Sequence, residues 1–243
     1  MKEAAIIFDK IVRERRSMRI YDDQTKLDEG AVQRSLERAV LAPNSSNMQT
    51  WEFYRVQDPV KKKQIATYCM NQNTAKTAHE LILVVVRRDK WKDRAKANYN
   101  YHKNIFGDRE LTAREKRKLK YYSRLMPLYY FQDWFGIAGM IRKSVVFFSS
   151  FFRPVVWAVS KNELKLVCHK SAALAAQTFM LSMQAEGYST CPMEGFDSWK
   201  VRRYLKLPFG ADISMIISCG PATERGIYHA QFRVPNEEVI FII

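Results

Sequence analysis

Apolar residues recur at helical spacing near the start of the chain and predict two helices. The first covers residues 4–15, and the second begins at Asp28, whose side chain suits an N-cap, and runs to about Leu41. Proline, asparagine and serine follow at 43–47 and predict a loop. The apolar face of the first helix consists of Ile7, Phe8, Ile11 and Val12.

Three later stretches have strand character. Residues 51–56 alternate in polarity, as half-buried strands do, and residues 213–218 are again rich in isoleucine. Residues 81–86 form a continuous run of branched aliphatic side chains, which predicts a strand buried on both faces. A helix is expected after Pro59, and Asp197 is expected to cap a short helix that runs to Leu205.

The stretch from about 91 to 160 differs in character from the rest. Thr112 and Glu115 form a capping-box pattern that opens a very basic helix, and a phenylalanine-rich run occupies 144–152. We interpret this stretch as a helical excursion from a single domain of residues 1–243. Its aromatic residues either line a pocket for a hydrophobic substrate or pack the excursion onto the core. They are Tyr121, Tyr122, Tyr129, Tyr130, Phe131, Trp134 and Phe135.

Two apolar segments predict buried or shared surfaces. Residues 171–186 are rich in alanine, and apolar side chains cover nearly the whole helical circumference before Gly187. We expect this helix to be buried on all sides, as a central helix or at a subunit interface. The apolar C-terminal residues 239–243 are expected to pair with a sheet edge, of this chain or of a partner subunit.

Composition narrows the class of protein. The 243 residues are 47% hydrophobic, enough for a packed core, and carry a net charge of +15, which favours anionic partners. Four widely spaced cysteines form no metal-binding pattern and predict reduced thiols. The N-terminus lacks the apolar core of a secretory signal, and no apolar run reaches the length of a membrane span, so a cytoplasmic location is expected.

Two separated motifs carry candidate chemistry. Residues 15–19 (Arg-Arg-Ser-Met-Arg) cluster cations and a hydroxyl, which suits a phosphate group. Residues 191–197 are expected to form a tight turn in which Gly195 lets the backbone approach a flat ligand. Together they predict a phosphorylated ring cofactor.

The order of these motifs resembles the FMN-dependent nitroreductase family over nearly the whole chain outside the excursion. The resemblance also rests on residues 42–51, on Cys-Gly-Pro at 219–221 and on Arg-Val-Pro at 233–235. It implies an α+β fold with a mixed central sheet flanked by helices. It also implies an intertwined homodimer with two FMN sites at the interface and the excursion over the active site.

The resemblance assigns FMN contacts residue by residue. Arg15, Arg16, Ser17 and Arg233 would hold the phosphate and ribityl chain, and Arg19, Asn73 and Lys76 would lie along the flavin ring. The loop reaching the ring from the other subunit would be Pro43, Asn44, Ser45, Asn47 and Gln49, and the segment against the ring would be Pro192, Met193, Glu194 and Gly195. Asn44, Thr50 and Gln231 depart from the residues usual in the family.

The implied activity is a ping-pong reaction in which NAD(P)H reduces FMN and a nitroaromatic or quinone-like acceptor reoxidises it. Hydride would pass through flavin N5 near the Glu194 backbone, with no catalytic side chain and no metal. Alternatives within the same fold are dehalogenation, flavin cleavage and azoline oxidation.

Two further readings concern surfaces. Cations beside clustered phenylalanines at 142–153 suit peripheral contact with a membrane, as in a membrane-surface quinone reductase. Residues 116–122 mix cations and aromatics as single-strand nucleic-acid binders do, but a solvated basic helix explains them better.

Overall fold

The computed structural model describes residues 2–133 and 135–243. Trp134, one of the aromatic residues of the excursion, lies outside the described residues. The elements in chain order are α1 (Glu3–Glu14), α2 (Glu29–Ala39), β1 (Trp51–Val56), α3 (Pro59–Tyr68), α4 (Asn73–Lys76), β2 (Glu80–Arg87), α5 (Trp91–Phe106), α6 (Ala113–Lys120), α7 (Met126–Tyr130), α8 (Ile137–Ser150), α9 (Lys161–Ala185), β3 (Ser189–Met193), α10 (Ser198–Tyr204) and β4 (Ala211–Gly220).

The four strands form one sheet in the order β1-β2-β4-β3, and every ladder between them is antiparallel. The resemblance implied a mixed sheet, whereas the four described strands pair in antiparallel fashion and the parallel bridge joins Ser17 to Thr190 beside β3. The predicted strands at 51–56, 81–86 and 213–218 are confirmed, and the fold is the expected α+β arrangement of a small central sheet flanked by helices.

The β2 strand separates two apolar layers. Leu81 and Leu83 face a layer built on α3, α4 and α10, whereas Ile82 and Val84 face α2, α9 and part of the excursion. These four side chains are fully buried. The predicted burial on both faces is therefore correct, because helices cover both sides of the central strand.

The prediction of a tight turn across 191–197 is wrong in its first half. Residues 189–193 form the edge strand β3, and the turn begins only after Met193. Pro192 obscured the strand in the sequence, but proline is tolerated at a sheet edge, where its missing N–H removes no ladder bond. Asp197 caps α10 as predicted, its carboxylate accepting from the Lys200 amide.

Helix α9 is longer than predicted and is not buried on all sides within one chain. It begins at Lys161, where Ser160 and Glu163 form a complete capping box that the sequence analysis missed. Its inward face carries Phe179 and Met183, both fully buried. On its other face Leu166 and Leu174 are 58% and 49% exposed. This half-exposed apolar helix leaves the prediction of a subunit interface open.

The chain termini also carry exposed apolar side chains. On α1, Ile7 and Phe8 are more than half exposed, and the C-terminal residues 239–243 are exposed and join no strand of this chain. The predicted pairing of 239–243 with a partner's sheet edge stays a prediction.

The excursion is helical, as predicted, and comprises α5 to α8. The capping box of Thr112 and Glu115 is present, and Tyr122, Met126 and Tyr130 anchor the excursion in the core. Among the residues that the structure describes, no helix is both long and apolar enough to span a bilayer.

Candidate functional site

The basic motif at 15–19 lies on an extended segment that is fixed to the sheet edge. Met18 and Tyr21 point inward and are 1% and 3% exposed. The Met18 amide donates to the Thr190 carbonyl at 3.2 Å, and the Tyr21 hydroxyl donates to the Ser218 carbonyl at 2.9 Å. The buried anchors leave Arg15, Arg16, Ser17 and Arg19 half-buried beside the edge strand.

Gly226 holds this segment from the other side. The Arg19 amide donates to the Gly226 carbonyl at 2.8 Å. A Cβ at position 226 would lie 2.0 Å from the Met18 sulfur and 2.4 Å from the Ile20 carbonyl oxygen, so only glycine fits. The sequence analysis missed this residue, since a glycine in a short turn at 224–226 looks like many others.

Three guanidinium groups converge at the start of the segment. The pKa of Arg15 is lowered, first because the side chain is partly buried, and further by the positive charges of Arg233 and Arg16. Arg16 donates to the His229 carbonyl at 2.6 Å, and Arg233 donates to the carbonyl of Phe232. Among the described residues no carboxylate forms an ion pair with these three arginines. Uncompensated, partly buried positive charge is the signature of an anion-binding site.

The turn after β3 and helix α4 join the same site. The Cys191 thiol contacts Ser17 and Thr74. Burial raises the pKa of this thiol, and the positive charge of Arg19 offsets part of the rise. The Gln72 amide nitrogen donates to the Gly195 carbonyl at 2.9 Å, which ties the turn to the start of α4.

Within α4, Thr74 and Ala75 are buried. Asn73 and Lys76, three residues apart, are exposed on one side of the helix. Segments 15–19, 73–76 and 191–195 are therefore brought together, as predicted. Arg233 also lies near these segments, because its positive charge lowers the pKa of Arg15.

The 43–49 loop has a strained and well-bonded backbone. Ser46, Asn47 and Gln49 adopt positive φ angles of 54°, 51° and 45°. The Asn44 side-chain oxygen accepts from the Gln49 amide at 2.8 Å, closing the loop on itself. Non-glycine residues in this left-handed region are uncommon, so contacts such as the one from Asn44 must hold the loop in this conformation.

Within one chain this loop contacts other elements than the arginine cluster. The Ser45 amide meets the Ser171 hydroxyl of α9, and the Asn47 side chain pairs with Asn98 of the excursion at 2.9 Å. The predicted site residues thus form two groups: the arginine cluster with its neighbours, and Pro43, Asn44, Ser45, Asn47 and Gln49. A split of this kind is what the implied contribution from the other subunit requires, and the dimer itself stays a prediction.

A cleft of about 850 Å³ opens between this loop and the excursion. Tyr121 and Tyr122 line it, and their hydroxyls bond to the hydroxyl and carbonyl of Ser46. His102 stacks on Tyr122 with ring centroids 5.5 Å apart. The cations in the wall are Arg114, Arg117 and Lys118.

The aromatic residues of the excursion divide between the cleft, the core and the surface, and a substrate in the cleft stays a prediction. Tyr121 and Tyr122 line the cleft, whereas the Tyr130 ring is buried and the Tyr129 hydroxyl bonds to the Ala158 carbonyl. Phe131 and Phe135 are exposed, so neither is packed into the core.

The remaining polar groups show no catalytic constellation. His79 bonds to the Asp22 carbonyl and His169 to the Ser214 hydroxyl. The four cysteines are buried free thiols. In the described ranges no group of histidine, cysteine or carboxylate side chains is arranged to hold a metal ion.

Comparison with known proteins adds to this geometry. The model of the nitroreductase family matches residues 12–221. Protein DrgA of Synechocystis sp. is 29% identical over 220 residues, covering 89% of this chain and 84% of that protein. A protein of Thermus thermophilus named NADH dehydrogenase is 26% identical over 226 residues, covering 93% and 91%.

Among solved structures, a protein of Exiguobacterium sibiricum crystallised in complex with FMN superposes with a TM-score of 0.67. The two sequences are 24% identical, and the match covers 97% of each chain. At this identity the likeness establishes the fold.

Proposed function

Because the chain belongs to the nitroreductase family, we propose that it is an NAD(P)H-dependent FMN oxidoreductase that reduces nitroaromatic or quinone-like acceptors. The relative named NADH dehydrogenase supports the nucleotide, and the FMN complex of the Exiguobacterium protein supports the cofactor.

The observation that carries the proposal is that the charges of Arg16 and Arg233 act on Arg15, while none of the three forms an ion pair with a carboxylate of the described residues. Bringing three cations together is unfavourable unless an anion joins them, and a phosphate dianion matches the planar fork of a guanidinium. The residues present therefore fit the phosphate of FMN, with the Ser17 hydroxyl as a further donor.

The ring of FMN would lie along the adjoining surface of α4 and the turn after β3. Arg19 and Lys76 would supply positive charge there, Asn73 a hydrogen bond, and residues 192–195 backbone contacts. FMN, when bound, supplies the redox chemistry by accepting a hydride from NAD(P)H and passing electrons to an acceptor. The protein would contribute orientation and charge.

Two chains would complete each site. The 43–49 loop lies on the far layer from the arginine cluster within one chain, so the loop of a partner subunit is the natural second wall. Exposed apolar residues on α1, on α9 and in the C-terminal segment supply the surface that such a homodimer would bury. They are Ile7, Phe8, Leu166, Leu174 and residues 239–243.

The cleft beside the loop indicates the class of acceptor. Tyr121 offers an exposed aromatic ring, and Arg114 and Lys118 offer positive charge. We therefore expect aromatic acceptors that carry a negative group, such as a nitrobenzoate, to react faster than neutral ones of equal potential.

Anaerobic mixing of the FMN-loaded protein with NADH or NADPH, followed by a nitroaromatic or a quinone, tests the proposal. Flavin bleaching by at least one nucleotide and recovery of colour on adding the acceptor are expected. If neither nucleotide bleaches the flavin, the reductase assignment is wrong, and the dehalogenase, flavin-cleaving and azoline-oxidising activities become the next to assay.

A further inference from the structure

Helix α8 exposes most of its large apolar side chains to solvent, which is the reverse of an ordinary surface helix. Its outward stripe is apolar, whereas its inward face carries Gly139, Arg142 and two serines. At 100° per residue the exposed apolar side chains span roughly 160° of the helix. The stripe consists of Ile137, Met140, Ile141, Val145, Phe147 and Phe148.

The exposed face continues beyond the end of the helix. Phe151 and Phe152 are 68% and 89% exposed, and Val156 and Trp157 are 68% and 55% exposed. Together with the α8 stripe they form one continuous segment of large apolar side chains facing solvent, which we call the α8 face. Exposed apolar patches of this extent mark interaction sites.

Polar contacts fix the helix in this orientation. The Arg142 guanidinium points inward and donates to the carbonyls of Leu128, Phe131 and Val159 at 2.9–3.1 Å. The Asp133 carboxylate accepts from the first backbone amides of the helix, at 2.8 Å each. Rolling the apolar stripe inward would break these bonds, so the exposure is built into the structure. Arg142 is thus a clamp within the excursion, and the expectation that it faces a membrane is wrong.

The surroundings of the face are strongly basic. Residues 137–163, which contain the face, hold 4 lysines and arginines against 1 acidic residue, in a chain whose net charge is +15. Lys143 pairs with Glu163 at 3.1 Å, while Arg153 lies exposed among the phenylalanines. An occupant with negative charge around an apolar interior is the complement of this surface.

We propose that the α8 face docks on a membrane surface rich in anionic lipid, with α8 lying in the plane of the interface. Aromatic and aliphatic side chains would enter the boundary between headgroups and acyl chains, and the surrounding cations would meet lipid phosphates. The proposal goes beyond the redox activity and does not depend on it.

A second copy of the chain is a poorer occupant. A two-fold contact through this face would place the same basic segment against itself, at a net +3 on each side. Anionic lipid removes that repulsion, and counter-charges from the protein are scarce, since Glu163, the acidic residue of 137–163, is already paired with Lys143.

Co-sedimentation of the full-length, FMN-loaded protein with vesicles tests the proposal. The vesicles contain either phosphatidylcholine alone or phosphatidylcholine with phosphatidylglycerol, at low and at high salt. The test variant is Phe151→Ser combined with Phe152→Ser, whose exposed side chains can change without disturbing the core. The matched control is Phe209→Ser, which alters a phenylalanine that is 84% exposed in the segment between α10 and β4.

Wild type and the Phe209→Ser control are expected to bind anionic vesicles at low salt and to bind neutral vesicles weakly. The double variant should lose about tenfold or more in partitioning. Failure of the wild type to sediment at low salt, or equal binding by the double variant, overturns the proposal. Equal binding to neutral vesicles overturns the role of anionic lipid. A lower oligomeric state of the double variant without lipid would assign the face to a second copy instead.

Discussion

Replacing Arg15 with glutamine distinguishes two effects of this arginine: its effect on the stability of the fold and its effect on the affinity for FMN. In the cofactor-free protein the Arg15 guanidinium is partly buried beside Arg233 and Arg16, and each of these conditions lowers its pKa. The positive charge of Arg15 therefore adds little to the stability of the folded protein. When a phosphate is bound, the same group makes charge-assisted hydrogen bonds, which contribute about 1.5–3 kcal/mol.

Two opposite effects follow for Arg15→Gln. The FMN dissociation constant is expected to rise by roughly 10- to 150-fold, the equivalent of that free energy. The unfolding free energy of the cofactor-free protein is expected to stay within about 0.5 kcal/mol of wild type or to increase. Quenching of flavin fluorescence during titration measures the first quantity, and urea unfolding measures the second.

Arg13→Gln is the matched control for Arg15→Gln. The Arg13 side chain is 76% exposed and pairs with Asp9 on the same helix at 2.7 Å, an exposed ion pair that contributes little to stability. It should change neither quantity appreciably. An unchanged FMN affinity in Arg15→Gln, or a cofactor-free variant several kcal/mol less stable, would refute the reasoning, because Arg15 would then be a structural residue.

Three other changes probe the scaffold of the site. Gly226→Ala should destabilise the protein by about 1–3 kcal/mol and weaken FMN binding, since the new methyl group meets Met18 and the Ile20 carbonyl. Glu186→Gln should cost about 1 kcal/mol at neutral pH, because the Arg34 and Arg38 guanidinium groups lower the Glu186 pKa to about 2. Tyr121→Phe should raise KM for the acceptor and leave flavin reduction by NAD(P)H unchanged, as the lost hydroxyl bonds to Ser46 of the 43–49 loop. Urea unfolding checks the first two, and stopped-flow and steady-state kinetics check the third.

Each of these changes has its own control or contrary outcome. Gly139→Ala is the control for Gly226→Ala, since a Cβ at position 139 would come no closer than 3.6 Å to its neighbours. Equal losses of stability in the two variants would contradict the steric argument. A depressed carboxyl pKa stabilises the fold above the unfolded value of about 4.3, and this stabilisation disappears as the pH falls towards 2. The difference between wild type and Glu186→Gln must therefore shrink over that window. A Tyr121→Phe variant that slows flavin reduction instead would place the cleft on the nucleotide side.

The sheet could be predicted from the sequence because its signals are local. Branched aliphatic side chains at 81–86 specify a strand buried on both faces wherever it lies. Asp28 and Thr112 cap helices through contacts within three residues, so their patterns were also readable.

The features that escaped prediction depend on contacts between distant parts of the chain. Gly226 matters because the Met18 side chain, more than 200 residues earlier, fills the space beside it. The inward direction of Arg142 is set by the Val159 and Leu128 carbonyls, and composition alone placed it on the outer surface. The strand at 189–193 was hidden by Pro192, because only the sheet order shows that it occupies an edge.

The resemblance to a family gave the site residues that local patterns could not. Arg233 is far from Arg15 in sequence, and nothing in its own neighbourhood marks it as part of an anion site. The structure brings its charge near Arg15, and the role of both residues in binding FMN stays a prediction.

Comparing FMN with riboflavin, which lacks the phosphate, tests the central claim most directly. Cofactor-free protein is titrated with each compound at the same ionic strength, and the complexes are then exposed to NADH and NADPH without oxygen. We predict one FMN per chain, riboflavin binding weaker by at least about a hundredfold, and bleaching of the FMN complex. Equal affinity for the two compounds, or protein that stays colourless with FMN, would contradict the claim that the arginine cluster holds the phosphate of a redox cofactor.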